Sequence, residues 1–314
     1  MRKGQNPAKF VKDVARPERI TVALLNYIPF LSGFYAETLD VLKVCMQSMR
    51  KDAGLPFDLM VFDNGSCAEV RDFLVKEKEE GRIQYLILAE KNMGKGGAWN
   101  VMLAGAPGEI VAYSDSDVLF YPGWLKKSVE LLETYPNVGM VTARPFRTPE
   151  EFLKQSIAWA ENAPETKLEQ GHLLPYDWFY EFSRTLGFSD EELRQIYDST
   201  RDFRINYRGL SAYLGASHWQ FTCYKSVIQQ FLPFEMDKPM GQVRQLDERM
   251  DRAGYLRLMP VERYAQNMSN TLPAGLSSVP LSGKRPSFRR LWELPLIKKP
   301  LLALYNTIFK LYNK

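Results

Sequence analysis

Apolar and polar positions alternate along this chain in blocks of strand and helix length. Ile20 to Leu25 is an almost unbroken apolar run closed by Asn26-Tyr27, the pattern of a strand buried on both faces. In Phe34 to Lys51, Leu39, Leu42, Met46 and Met49 recur at the spacing of an amphipathic helix. Pro56 to Phe62 then reads as a second strand, Ala68 to Glu80 as a helix and Ile83 to Leu88 as a third strand. Asn92 to Ala104 opens on glycines and continues as a helix, and Ile110 to Tyr113 is a fourth strand running into Asp115 and Asp117. Trp124 to Tyr135 and Val138 to Ala143 add another helix and strand. Strands alternating with helices predict an α/β fold with a mostly parallel sheet flanked by helices. From Thr148 to Arg208 charged and aromatic segments dominate, and a helical insertion is expected there. Leu210 to Tyr224 is strand-like again, Ser226 to Phe231 is a short helix, and Arg244 to Ala253 is a helix closed by Gly254. Beyond Leu258 the chain reads as loop. The expected parts are a basic arm over 1–19, a first part of the main domain over 20–147, a second over 148–260, and a linker with a tail over 261–314.

Composition narrows the class. Of 314 residues, 45% are hydrophobic and 25% charged, enough apolar content for a sizeable core in a soluble protein. The N-terminal residues lack the apolar stretch of a signal peptide, and no run is long and apolar enough to span a bilayer, so a cytoplasmic protein is expected. Cys45, Cys67 and Cys223 have no metal-site or disulfide spacing. Two histidines, His172 and His218, leave little room for histidine-rich metal sites or a serine triad. The net charge of +4 is uneven: Lys284 to Lys314 carries eight basic residues against Glu293, which leaves the rest of the chain at −3. A mildly acidic body argues against a nucleic-acid surface.

In open α/β sheets ligands bind beyond the carboxyl ends of the strands. That rule gathers Asn26, Asp63, Asn92 and Asp115 at one edge. Asp115 and Asp117, separated by Ser116, can direct both carboxylates to one point, a suitable pair for Mg²⁺ or Mn²⁺ together with substrate phosphates; as a bare sequence Asp-Ser-Asp is equally a turn or a cap. Asp63 in Val-Phe-Asp-Asn-Gly-Ser stands on a tight turn, suited to a base or ribose or simply to an Asx-turn. Gly94, Gly96, Gly97 and Ala98 would admit a diphosphate at a helix start, or close packing of the helix on the sheet. Neither the P-loop nor the dinucleotide-binding glycine spacing is present.

The order of these signals resembles the nucleotide-sugar-dependent glycosyltransferases of family 2, which have the GT-A fold. A strand followed by Asp-Asn-Gly-Ser, then Asn92, Gly94, Ala98 and Asn100, then Asp115-Ser116-Asp117 is that family's sequence of motifs, over roughly Ile20 to Ala143 and more weakly over Leu210 to Leu258. The resemblance implies a donor nucleotide site of Asn26, Asp63, Asn92, Gly94, Lys95, Gly97, Asn100, Ser114, Asp115 and Ser116, with Asp115 and Asp117 holding Mn²⁺ or Mg²⁺. It implies a UDP- or GDP-sugar as donor, UDP favoured, a hydroxyl of a lipid-linked or polysaccharide precursor as acceptor, and inversion at the anomeric carbon.

One departure bears on catalysis. Inverting members of the family place a Glu-Asp pair ahead of a helix ending in Gly-Tyr, whereas here the corresponding positions before Gly254-Tyr255 are Gln242-Val243. Asp247, one helical turn on, is the first candidate for the base, with Glu248 and Asp237 behind it. The plainer alternative for Asp247 is a surface acid paired with Arg244 or Arg252. His218 and Trp219 are candidates for acceptor binding, or a satisfied histidine and a core aromatic. In the tail, Leu301, Leu304, Tyr305, Ile308 and Leu311 recur at helical spacing among lysines, as in a helix lying on an anionic membrane surface at the inner face of the cell membrane, or packed on the body or another subunit. Homo-oligomerisation is left open. A non-catalytic sugar-nucleotide-binding protein and a nucleotidyltransferase are the alternatives in function.

Overall fold

The computed structural model describes residues 5–184, 187–236, 244–273 and 300. By its contacts the chain divides into a unit over 1–272 and a second over 273–314. The tail signals over 284–314, and the Asp237 and Gln242-Val243 positions, lie outside the described residues.

In the first unit the strands β1 (Ile20–Asn26), β2 (Asp58–Asp63), β3 (Tyr85–Leu88) and β4 (Ile110–Asp115) form the parallel half of a ten-stranded sheet. The short β5 (Val118–Phe120) follows, then β6 (Val138–Val141), β7 (Thr166–Gly171), β8 (Asp202–Tyr207), β9 (Leu210–Leu214), β10 (Gln220–Tyr224), β11 (Leu256–Pro260) and β12 (Ala265–Asn267), which pairs with β5 in a separate two-stranded sheet. The order across the large sheet is β3-β2-β1-β4-β10-β6-β11-β9-β8-β7, with β10, β9 and β7 running against the other strands. This is the α/β arrangement expected from the sequence.

The helices explain why β1 is apolar on both faces. Ile20, Val22 and Leu24 point into a core shared with α1 (Thr38–Arg50), α2 (Ala68–Glu79) and α4 (Trp124–Thr134). Ala23 and Leu25 point the other way, into a core with α3 (Gly94–Gly105) and α9 (Arg244–Arg252). Alternate residues of one strand therefore bury against two helix layers. The short α8 (Lys225–Ile228) continues β10.

The stretch read as a helical insertion contains α5 (Lys154–Asn162), α6 (Tyr176–Ser183) and α7 (Asp190–Ser199), and it also contributes β7 and β8, which widen the sheet beyond β9. Those two strands were not expected. β7 is an edge strand with no fully buried residue, so no apolar alternation marks it. The insertion has its own small core of Leu174, Phe179 and Leu193 against Tyr213 and Met259. Arg147 and Asp202, both nearly buried, pin it: Nε and Nη2 of Arg147 donate to the two carboxylate oxygens at 2.8 and 2.7 Å. Among the described residues no helix is long and apolar enough to cross a membrane.

Candidate active site at the carboxyl edge of the sheet

Strand register builds the site. Asn26 stands opposite Asp63, Asp63 opposite Leu88, and Leu25 opposite Asp115, so the polar residues that end β1, β2 and β4 share one edge. The Asp63-Asn64-Gly65-Ser66 turn is tied inward. Asn26 Nδ2 donates to Asp63 Oδ1 at 2.9 Å and to Ser66 Oγ at 3.1 Å, and the Ser66 amide donates to Asp63 Oδ2 at 3.0 Å. Asn26 and Asp63 have no exposed surface. The Asp63 carboxylate and Asn26 Nδ2 are spent on the turn, while Asn26 Oδ1 is buried without a partner among the described residues. Asn64 of the turn reaches the glycine loop: its Nδ2 donates to Asn92 Oδ1 at 2.9 Å, and the Met93 amide donates to its Oδ1 at 2.8 Å. Gly65, at φ +85°, is required here twice over, since a Cβ would also stand 2.9 Å from the Lys91 carbonyl carbon.

Asn92 closes a tight turn just before α3, its Oδ1 accepting from the Gly94 amide at 2.7 Å. The close approach that the glycines permit is made by protein. A Cβ on Gly96 would lie 2.7 Å from the Glu235 carbonyl oxygen, and one on Gly97 would lie 2.7 Å from Met236 Cε. Asn100 locks the same segment, donating to the Phe234 carbonyl at 2.8 Å and accepting from its amide at 2.6 Å. Of the residues expected to meet the donor, Gly97 and Asn100 therefore hold residues 234–236 against α3.

The charged part of the edge is Lys95, Asp115 and Asp117. Lys95 Nζ lies 2.7 and 2.8 Å from the two carboxylate oxygens of Asp115, and Tyr113 Oη donates to the same carboxylate. Asp115 is about a quarter exposed, while Ser114 is buried and Ser116 is partly exposed with no side-chain hydrogen bond among the described residues. Asp117 Oδ2 accepts from Asn267 Nδ2 at 3.2 Å, and its Oδ1 is buried without a partner among the described residues. Burial, with the Asp115 carboxylate beside it, pushes the Asp117 carboxyl up to about 7. Asn267 belongs to the part expected to be linker, yet β12 pairs with β5 and brings it to the site; a three-residue strand leaves no pattern to find.

A divalent cation suits this donor set. Hard oxygen donors match Mn²⁺ or Mg²⁺, and Asp117 Oδ1 is an uncommitted buried acceptor next to a second carboxylate. Among the described residues no three of His, Cys, Asp or Glu gather to bind a metal.

Across from this edge a cavity of about 800 Å³ opens between the insertion and the sheet. It is lined by His218, Trp219, Asp247 and Arg257 together with Phe146, Phe182 and other side chains of the insertion. Trp219 is 8% exposed and packs on Phe182 with its indole nitrogen unpartnered among the described residues, so its greater part is core. Asp247 is not a surface acid: Arg257 donates to its Oδ1 and His218 meets its Oδ2, each at 2.9 Å. Glu248, one residue on, faces outward and pairs with Arg252 at 3.4 Å, away from the cavity. Arg257, a charge in the middle of the apolar strand β11, was missed, although such a residue itself signals a buried partner.

The model of the glycosyl transferase family 2 matches residues 33–196, more than half of the chain, and the chain belongs to that family. Its relatives include the uncharacterized glycosyltransferase alr2836 of Nostoc sp., 32% identical over 145 residues, which are 45% of this chain and 44% of that protein. A second, RC0461 of Rickettsia conorii, also an uncharacterized glycosyltransferase, is 30% identical over 24% of this chain and 12% of its own. The matched stretches thus span less than half the length of these curated relatives. Among solved structures, S. aureus TarS 1–349 has a TM-score of 0.46 and 14% identity, covering 79% of this chain and 59% of that one. The mannosyltransferase PcManGT of Pyrobaculum calidifontis, solved with GDP-Man and Mn²⁺, has a TM-score of 0.44 and 18% identity, covering 78% and 55%. The family match, not these likenesses, assigns the chain.

Proposed function

We propose that this protein is a metal-dependent glycosyltransferase that moves a sugar from a nucleoside diphosphate, UDP being favoured, to an acceptor hydroxyl with inversion. The observation that carries the reading is the shared edge: the motifs that end β2 and β4 meet Asn26 of β1 in register, with Asp115 and Asp117 at its charged end. A Mn²⁺ or Mg²⁺ held by Asp115 and Asp117 would neutralise the departing diphosphate, so that the leaving group needs no proton. Lys95 supplies a positive charge at the same place. It balances Asp115 in the absence of ligand and can turn to phosphate oxygens when they arrive. Asn26 and Asp63 act as positioning residues that shape the turn against which the nucleoside lies. Exposed Asn92 and buried Gly94 lead into α3, and Gly97 and Asn100 hold residues 234–236 against it.

The cavity beside His218 and Trp219 is the acceptor site in this reading. Its aromatic lining suits an acceptor with an apolar part, which favours a lipid-linked precursor over a bare polysaccharide. The basic, amphipathic sequence of 284–314 would add contact with an anionic membrane surface at its cytoplasmic face. Calorimetric titration with a panel of UDP- and GDP-sugars in the presence of Mn²⁺, followed by assays of donor hydrolysis, tests the function. Binding of at least one sugar nucleotide that is lost on removing the metal is expected; indifference to the whole panel refutes it. Sedimentation with anionic vesicles, with and without residues 284–314, tests the membrane contact, which fails if truncation changes nothing.

A further inference from the structure

The family pattern leaves the acceptor without a base here, because the acidic pair is replaced by Gln242-Val243. The cavity offers a different arrangement. α9 carries Asp247 inward, where Arg257, 2% exposed and held also by the carbonyls of Phe152 and Ala216, takes Oδ1. Oδ2 faces Nδ1 of His218 at 2.9 Å. A carboxylate that is paired with a buried guanidinium accepts hydrogen bonds, so Nδ1 carries the hydrogen. A neutral imidazole has one N–H, and its Nε2 is then left with a lone pair. Among the described residues nothing bonds to Nε2, and the ring, 30% exposed, lines the cavity. The position is also right with respect to the donor edge. The carbonyl of Trp219 accepts from the Asp115 amide at 2.9 Å, and Gln220 pairs with Ser114, so His218 stands one residue from the strand that ends in the carboxylates.

We propose that His218 is the general base of this enzyme and that Asp247, held by Arg257, is its positioning residue. The proposal rests on the glycosyltransferase reading above and names the group that reading lacks. In the step, a lone pair of the acceptor oxygen forms the bond to the anomeric carbon while the bond from that carbon to the diphosphate oxygen breaks, its electron pair leaving with the diphosphate. The hydroxyl proton passes to Nε2 of His218. The imidazolium so formed faces Asp247 and gives the proton to solvent as products leave. Asp247 stays ionised throughout, and Glu248 has no part.

Two measurements test this. Hydrolysis of UDP-glucose, UDP-N-acetylglucosamine and GDP-mannose with Mn²⁺ uses water as the acceptor, so the unknown natural acceptor is not needed. His218→Ala should lower kcat roughly 100-fold or more, the ordinary contribution of a general base, with KM for the donor within about 2-fold, a bound well below one tenfold step in affinity. Added imidazole should restore part of kcat, which it would not do for a side chain with only a structural role. His172→Ala, on an exposed ring stacked against Tyr197, is the control. Full activity in His218→Ala overturns the base, whereas an inactive wild type overturns the function itself and this step with it. Because the chain has two histidines, nitrogen-15 NMR of the side chains gives an independent answer. In the neutral ring of His218 the proton should sit on Nδ1; a proton on Nε2 refutes the proposal without any turnover. Asp247→Asn should release that tautomer and lower kcat likewise, and His218→Gln serves if the unpaired Arg257 prevents that variant from folding.

Discussion

Asp117→Asn is the sharpest test of how the donor edge is built. The Asp117 carboxyl sits at about 7 rather than at the ordinary value of 3.8, first because it is buried and second because Asp115 is beside it. The folded-state value lies above the unfolded one, so between about pH 4 and pH 7 the folded protein holds the extra proton. Stability should then fall as pH rises through that window and level off above it. About three pH units at about 1.4 kcal/mol each set an upper limit near 4 kcal/mol. Because Asp117 is partly exposed as a residue, about 2–3 kcal/mol is the expected loss. Asparagine is neutral at every pH, and its Oδ1 can still accept from Asn267. Urea unfolding of both proteins in a chelating buffer, from about pH 3 to about pH 8, should show no difference at the acid end and a variant about 2–3 kcal/mol more stable at the alkaline end. At the alkaline end Mn²⁺ should raise the Tm of the wild type and leave the variant unchanged. A difference that is flat with pH, or of the opposite sign, refutes both the burial and the coupling to Asp115.

Other expectations follow from single contacts. Asp202→Ala leaves Arg147 as a buried cation without its bidentate partner and removes the acceptor of the Leu173 and Leu174 amides, so a loss of about 3–5 kcal/mol is expected in denaturant titration. Lys95→Met frees Asp115 from its ion pair; Mn²⁺ should bind roughly fivefold tighter without nucleotide, about 1 kcal/mol for a partly exposed pair, and UDP should bind more weakly in calorimetry. Gly96→Ala places a methyl against the Glu235 carbonyl oxygen, and a destabilisation of about 1–3 kcal/mol by urea unfolding is expected.

These contacts also explain which parts of the molecule could be read from its sequence. The parallel half was legible because β1, β2 and β4 are apolar runs that end in polar residues, and those ends fall in register. The glycines of α3 announced a close approach correctly, but a missing side chain specifies room and not its occupant, which is the Glu235 carbonyl at Gly96 and the Met236 side chain at Gly97. β7 lacks apolar alternation because it is an edge strand, and the contact of Asn267 with Asp117 spans 150 residues, so neither leaves a local signal. The acceptor side differs from the donor side in the same respect. Asp115 and Asp117 are neighbours in sequence, and their chemistry can be read from a motif. His218 and Asp247 are 29 residues apart and meet only because β10, α9 and β11 converge, with Arg257 as the third member. Asp247 was visible as an acid, but its contacts were not: Arg257 and His218 engage its two oxygens, and His218 lines the cavity. A displaced acid and a substituted base look alike in sequence, and the tautomer of His218 against Asp247 is the observable by which the proposal separates them.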